Sequence, residues 1–204
     1  SMITILNYGM GNLGSMSNMF RHIGFESLVT SDISEIEKAT HLIIPGVGSF
    51  DGAMDNLNAN KDLVPTLTAL AFKKRIPILG VCLGMQLFMH SSEEGILPGL
   101  GWVDGKVCKF NSDKNLKVPH MGWNQAIKAS NKCGLTNNIS ATTRYYFVHS
   151  YYVKLVSESN LMFETDYGLK FASGIYNENL FGVQFHPEKS HLFGMSLLKS
   201  FARL

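Results

Sequence analysis

Apolar positions along the first hundred residues switch between two rhythms. ITIL near the start, SLVT, HLII and IPILGV are short continuous apolar runs, the pattern of strands buried on both faces. Between them the spacing stretches to helical. Met16, Met19, Phe20 and Ile23 fall at i, i+3, i+4 and i+7, and Gly24 stands where a helix would close. Glu35 to Ala39 reads as a short helical turn and a helix is expected from about Asp51. Another runs from Asp62 to Arg75 with Leu63, Leu67 and Leu70 inward, and CLGMQLFMHS reads as the helix after IPILGV. Repeated βα units of this kind build a largely parallel sheet covered on both faces. After Gly95 the pattern changes. KVCKF, NQAIKA, RYYFVHSYYVKL, LMFET, LKFASGIY and LFGVQF are strand-like and separated by turn residues, so antiparallel additions are expected. A closing helix places Leu197, Leu198, Phe201 and Leu204 on one face. The chain therefore reads as one α/β domain over residues 2–204 with a β-rich second half; Ser1, ahead of Met2, reads as a remnant of expression.

Composition narrows the function classes. Of 204 residues, 45% are hydrophobic and 17% charged, the balance of a chain that buries a core. A net charge of +2 gives no electrostatic case for nucleic acid or an anionic membrane, and no apolar stretch approaches membrane-spanning length. A cytoplasmic protein is expected. Three cysteines without a C-x-x-C pair argue against structural zinc or a disulfide framework.

One of them stands apart. In ILGVCLGMQL a strand runs into Cys82 and a helix begins at once, with Gly80 and Gly84 on either side. G-x-C-x-G is the sulfur counterpart of the nucleophile elbow, where a tight strand-to-helix turn lifts the side chain above the sheet and helix N–H groups favour the thiolate. A core cysteine at a strand end is the plain alternative. Gln86, four residues on, shares the helical face of Cys82 and is a candidate substrate contact. A thiolate needs a base held by a third group. VQFHPEKS offers one: an apolar strand delivers His186 to its carboxyl end, and Glu188 is close enough to fix the imidazole tautomer. Acyl chemistry also needs donors for a developing oxyanion. The N–H of Leu83 is the first candidate. PGVGSF, ending another strand, offers a second through Val47 and Gly48, with Gly46 beside the substrate; an ordinary αβ connection would read the same way.

A competing spelling lies in GMGNLG, Gly9 to Gly14, which matches G-x-G-x-x-G after a strand and before a helix, with Asp32 at the distance of a ribose-binding acid. A dinucleotide site would explain that loop and leave the cysteine elbow and the His-Pro-Glu turn unexplained.

Cysteine elbow, PGVG loop and HPE turn, in that order, resemble the class I (triad) glutamine amidotransferases. Within them the similarity is greatest to glutaminase subunits of imidazole glycerol phosphate synthases, through YGMGN, PGVGSF, GVCLGMQL, SSEEG, KVPHMGWN, YYFVHSYY and VQFHPEKS across almost the whole chain. The resemblance implies a flavodoxin-like sheet, a triad of Cys82, His186 and Glu188, L-glutamine as substrate, no cofactor and no metal. It also implies a heterodimer with a (β/α)8-barrel cyclase subunit that consumes the ammonia in histidine biosynthesis. Asn12, in the loop expected to face that partner, and Trp123 in PHMGWN become interface candidates, with an ordinary buried tryptophan as the alternative. Lys189 becomes either an interface residue or a solvated lysine, and His149 a structural or interface residue. Asn7 departs from the family, in which an acid often precedes YGMGN. Two further readings stay open: a paralogous branch supplying ammonia for surface-sugar biosynthesis, which KSHLFGM resembles, and a partner-independent γ-glutamyl hydrolase.

Overall fold

The computed structural model describes residues 2–111, 115–129 and 132–204; Ser1 lies outside them. The first half alternates as its apolar rhythm predicts. β1 (Ile3–Leu6), α1 (Leu13–His22), β2 (Ser27–Thr30), α2 (Ile33–Ile36) and β3 (Leu42–Ile44) are followed by α3 (Phe50–Ala59), α4 (Leu63–Phe72), β4 (Ile78–Val81) and α5 (Leu83–Gln86). The second half is mostly strand: β5 (Ser91–Ser92), β6 (Gly105–Lys109), β7 (His120–Lys128), β8 (Thr142–His149), β9 (Tyr151–Leu155), β10 (Leu161–Asp166), β11 (Lys170–Asn177) and β12 (Leu180–Val183). α6 (His191–Ala202) closes the chain.

Among the described residues all twelve strands join one sheet with the main order β2-β1-β3-β4-β12-β11-β10-β7-β8. From β2 to β12 the pairing is parallel; β11, β10, β7 and β8 continue it antiparallel, while β9 bridges β11 and β6. The last strand of the parallel half is thus supplied from the far end of the chain, and its register with β4 sets Val183 opposite Val81. Two apolar layers cover the sheet. Leu57, Leu67 and Leu70 from α3 and α4 pack on one face with Ile44 and Ile78. Met16, Phe20, Leu197, Leu198 and Phe201 from α1 and α6 pack on the other with Ile5, Ile43 and Leu79.

Three local expectations are corrected. The helix after Cys82 lasts a single α-turn, because from Leu87 on the backbone pairs with loop and strand instead: Leu87 O accepts from Leu100 N and His90 N donates to Gly105 O. RYYFVHSYYVKL is two strands, broken at Ser150, so that β8 pairs with β7 and β9 with β6. Leu204 lies beyond α6 and stays half-exposed, leaving Leu197, Leu198 and Phe201 as the buried face.

Candidate active site

β3, β4 and β12 end side by side at the carboxyl edge of the parallel sheet, where open α/β folds gather ligands. Cys82 follows β4 immediately. Its φ of 57° and ψ of −114° lie in a region that costs a non-glycine residue about 1–3 kcal/mol, so the surrounding packing must impose it. Gly84 and Gly46 make that packing possible. A β-carbon at Gly84 would sit 2.9 Å from the Ile44 carbonyl carbon and 3.3 Å from Pro45 O; one at Gly46 would sit 2.9 Å from Gly84 N. The turn after β3 and the elbow after β4 therefore touch backbone to backbone. Tyr8, buried behind them, donates its hydroxyl to Pro45 O at 2.6 Å. Burial, and then the charge of Cys82, hold the Tyr8 phenol well above its ordinary range, so it remains a donor.

His186 arrives on the extension of β12. Its N–H donates to Tyr146 O at 2.9 Å, and the Ser190 hydroxyl donates to His186 O at 2.6 Å while accepting from Tyr146 N, which pins the residue to β8. Pro187 starts a 3-10 turn (Pro187–Lys189) that swings Glu188 back under the ring. Glu188 Oε1 lies 2.6 Å from His186 Nδ1, both side chains almost wholly shielded. A carboxylate only accepts, so Nδ1 carries the hydrogen and Nε2 is left for proton exchange with Cys82. Burial alone would lower the imidazole's basicity; hydrogen bonding and charge from Cys82 and Glu188 outweigh it and move His186 upward.

Cys82, Leu83, Gln86, His186, Val47 and Gly48 line one cavity of about 300 Å³, enough for an amino acid, together with Glu94, Val148, His149, Ser150, Tyr151 and Lys189. The loop residues meet the elbow from the β3 side: Gly46 is buried against Leu83, Val47 is half-exposed, and Gly48 adopts a φ of 113°. Glu94 anchors this region by accepting from Phe50 N at 2.8 Å.

The interface candidates separate. Asn12 is exposed at the start of α1, and its side chain makes no capping bond. Trp123 is 40% exposed on β7, its ring parallel to that of His191 at 5.7 Å, so the buried alternative does not hold. Lys189 is exposed at the cavity rim. His149 is buried inside rather than on an outer face: its Nδ1 donates to Tyr151 O at 2.7 Å and its Nε2 lies 2.9 Å from His120 Nδ1. Since Tyr151 O can only accept, His149 Nε2 is bare and His120 must supply the shared hydrogen. Burial lowers both histidines, His120 to about 4 and His149 to about 3.

Sequence reading missed Tyr8, Glu94, His120 and Gln184. Gln184 left one signal, an amide interrupting the apolar run FGVQF; the others depend on distant pairing. Nor does GMGNLG form a dinucleotide cradle. Gly11, with a φ of 106°, lets the loop press on Pro45, where a β-carbon would sit 2.9 Å from the proline ring, whereas Gly14 faces open space. Asp32 spends its carboxylate capping α2 through Ser34 N and Glu35 N. Asn7, the departure from the family, accepts from Gly9 N and so turns the same loop.

A cysteine strained above the carboxyl edge of a doubly wound sheet, sharing its cavity with a carboxylate-held imidazole, defines the class of thiol-dependent acyl-transfer enzymes. The family model described as glutamine amidotransferase class-I matches residues 4–203, and the chain belongs to this family of glutaminases. It is 48% identical to "Imidazole glycerol phosphate synthase subunit HisH 2" of Methanococcus maripaludis over 99% of both chains. It is 43% identical to the protein of the same description in Pseudomonas aeruginosa over the full length of both. Among solved structures, PurLQS from Thermotoga maritima shares the fold with a TM-score of 0.76 at 18% identity, over 99% of this chain and 97% of that one. No helix among the described residues is long and apolar enough to cross a membrane.

Proposed function

We propose that residues 2–204 act as a single glutaminase domain, the ammonia-supplying subunit of an imidazole glycerol phosphate synthase, working in the cytoplasm beside a (β/α)8-barrel cyclase subunit. The observation that carries the chemistry is the opening of Cys82 and His186 into one cavity, with His186 held at Nδ1 by Glu188. Glutamine lies with its side-chain amide at the sulfur and Gln86 and Gly46 alongside. Cys82 Sγ attacks the amide carbon and His186 Nε2 carries the thiol proton. The N–H groups of Leu83 and of the Val47–Gly48 segment steady the oxyanion. As the C–N bond breaks, His186 returns the proton to the nitrogen and ammonia leaves. Water, deprotonated by the same ring, then cleaves the γ-glutamyl thioester to glutamate and restores the thiol. Glu188 orients the ring and stabilises its cation throughout.

Ammonia released into neutral water is mostly protonated and no longer a nucleophile, so a neighbouring acceptor site is a chemical requirement. Full-length identities of 48% and 43% with proteins described as subunits of the synthase support the barrel as that neighbour. The exposed Trp123, Asn12 and Lys189 are the residues we assign to the contact. Cys82→Ala, mixed with the barrel subunit, should lose glutamine turnover by several powers of ten; turnover at the wild-type rate would end the proposal. Wild-type activity that does not rise when the barrel is added would remove the partner and leave a free-standing hydrolase.

A further inference from the structure

Beside the thiol stands a side chain to which that mechanism gives no role. Gln184 directly follows β12 and is fully buried. Cys82 N donates to Val183 O at 2.8 Å, which brings the next side chain of that strand alongside the sulfur. A primary amide can present either N–H or C=O, and here the neighbours decide between them. Tyr151 O can only accept, so Gln86 turns its NH2 toward it at 3.3 Å. The same nitrogen has a second hydrogen, and Gln184 meets it with oxygen at 3.0 Å. Gln184 is thereby left with its Nε2 toward Cys82 Sγ at 3.6 Å. Of the two ends of this amide it is the N–H that points at the sulfur, which itself donates to Val148 O at 3.9 Å.

We propose that Gln184 is a positioning residue for the thiol reaction: its amide N–H holds and favours the anionic sulfur, while its oxygen locks Gln86 in the orientation that meets the substrate. This rests on the reading of Cys82 as the nucleophile. Burying an amide without partners is costly, and here both assigned partners belong to the cavity. A hydrogen bond to an anion is stronger than one to a neutral group, so the donor helps most once the thiol has lost its proton. Fixing the Gln86 nitrogen on Tyr151 also fixes its oxygen as the group left to receive an N–H from glutamine.

The test is the rate of Cys82 alkylation by iodoacetamide, followed by peptide mass spectrometry from about pH 5 to about pH 10 on the full chain with its barrel partner. Other groups face the sulfur: His186 backed by Glu188, Tyr8 from the loop after β1, His149 from β8, and Glu94 and Lys189 at the cavity wall. All are present in wild type and variant alike, so the difference isolates Gln184. Gln184→Leu should move the midpoint of the profile upward by about one to two pH units. It should also lower kcat about tenfold or more and raise KM, since the oxygen that holds Gln86 is lost with the N–H. Gln184→Glu keeps the shape and the acceptor for Gln86 but removes the N–H, and should move the midpoint at least as far; it decides the matter if the leucine variant does not fold. A midpoint within about 0.3 pH unit of wild type in a folded variant overturns the proposal. Iodoacetamide needs no glutamine recognition, so a wild-type chain that alkylates normally yet splits no glutamine refutes the proposed function and not the role of Gln184.

Discussion

Adding one methyl group at Gly84 tests whether the backbone contact between two turns builds the site. In Gly84→Ala the new carbon would lie 2.9 Å from the Ile44 carbonyl carbon and closer still to its oxygen. Carbon atoms pack best about 3.5–4.0 Å apart, so the elbow and the β3 turn must separate by about 1 Å. Neither side can yield by rotating a side chain, since both are backbone. Overpacking of this sort costs roughly 1–3 kcal/mol, and the upper end applies where only main chain can move. For a chain of this length about 3 kcal/mol corresponds to a melting temperature lower by roughly 6–12 °C. Function should suffer more than stability. Shifting the elbow by about 1 Å misdirects Cys82 relative to His186, and errors of that size cost about a hundredfold in rate. Scanning calorimetry gives the first quantity; glutamine turnover with the barrel subunit gives the second. A variant melting within about 2 °C of wild type and turning over within about threefold would show that the turns do not hold the sulfur in place.

Acid provides a second probe. His120 and His149 share one hydrogen between facing nitrogens, and their folded-state values, about 4 and about 3, lie below the ordinary histidine value of 6.5. The unfolded chain binds their protons first, so stability falls as pH drops from 6.5 toward 4. His186 is shifted the other way, and its contribution is already complete below 6.5. Unfolding free energy should therefore drop by about 2 kcal/mol between pH 6 and pH 5, and equal urea midpoints at the two values would contradict the neutral pair. Tyr8→Phe removes the donor from the buried Pro45 carbonyl and should cost about 1–3 kcal/mol with a loss of glutamine turnover; unchanged melting and turnover would separate Tyr8 from the loop.

The parallel half of the fold was legible because runs such as HLII and IPILGV bury both faces, and a period of two or 3.6 survives in local sequence. The cysteine elbow and the His-Pro-Glu turn were legible for the same reason: each is a strand end followed at once by turn chemistry. What stayed hidden depends on register between distant segments. His120 meets His149 only because β7 and β8 pair with those residues directly opposite, and nothing near either residue encodes that. Gln184 could be seen as a polar intruder in an apolar strand, but not as the neighbour of Cys82, which requires Val183 to pair with Val81. The early end of α5 was missed because LFMHS carries helical apolar spacing, while its carbonyls accept from the loop at Leu100, Gly101 and Trp102 and His90 N donates to β6. The spelling GMGNLG misleads for the opposite reason, since its glycines answer to packing against Pro45 rather than to a phosphate.

The adjacency of β4 and β12 has a consequence for how such proteins diversify. Residues that would split glutamine sit on two neighbouring strands clamped in fixed alignment, while everything between them in the chain departs from β4 and comes back. That excursion can be lengthened, trimmed or resurfaced to suit a new recipient of nitrogen, provided it returns its last strand without a slip. A displacement by one residue would turn Gln184 and His186 to the opposite face of the sheet and leave the sulfur alone.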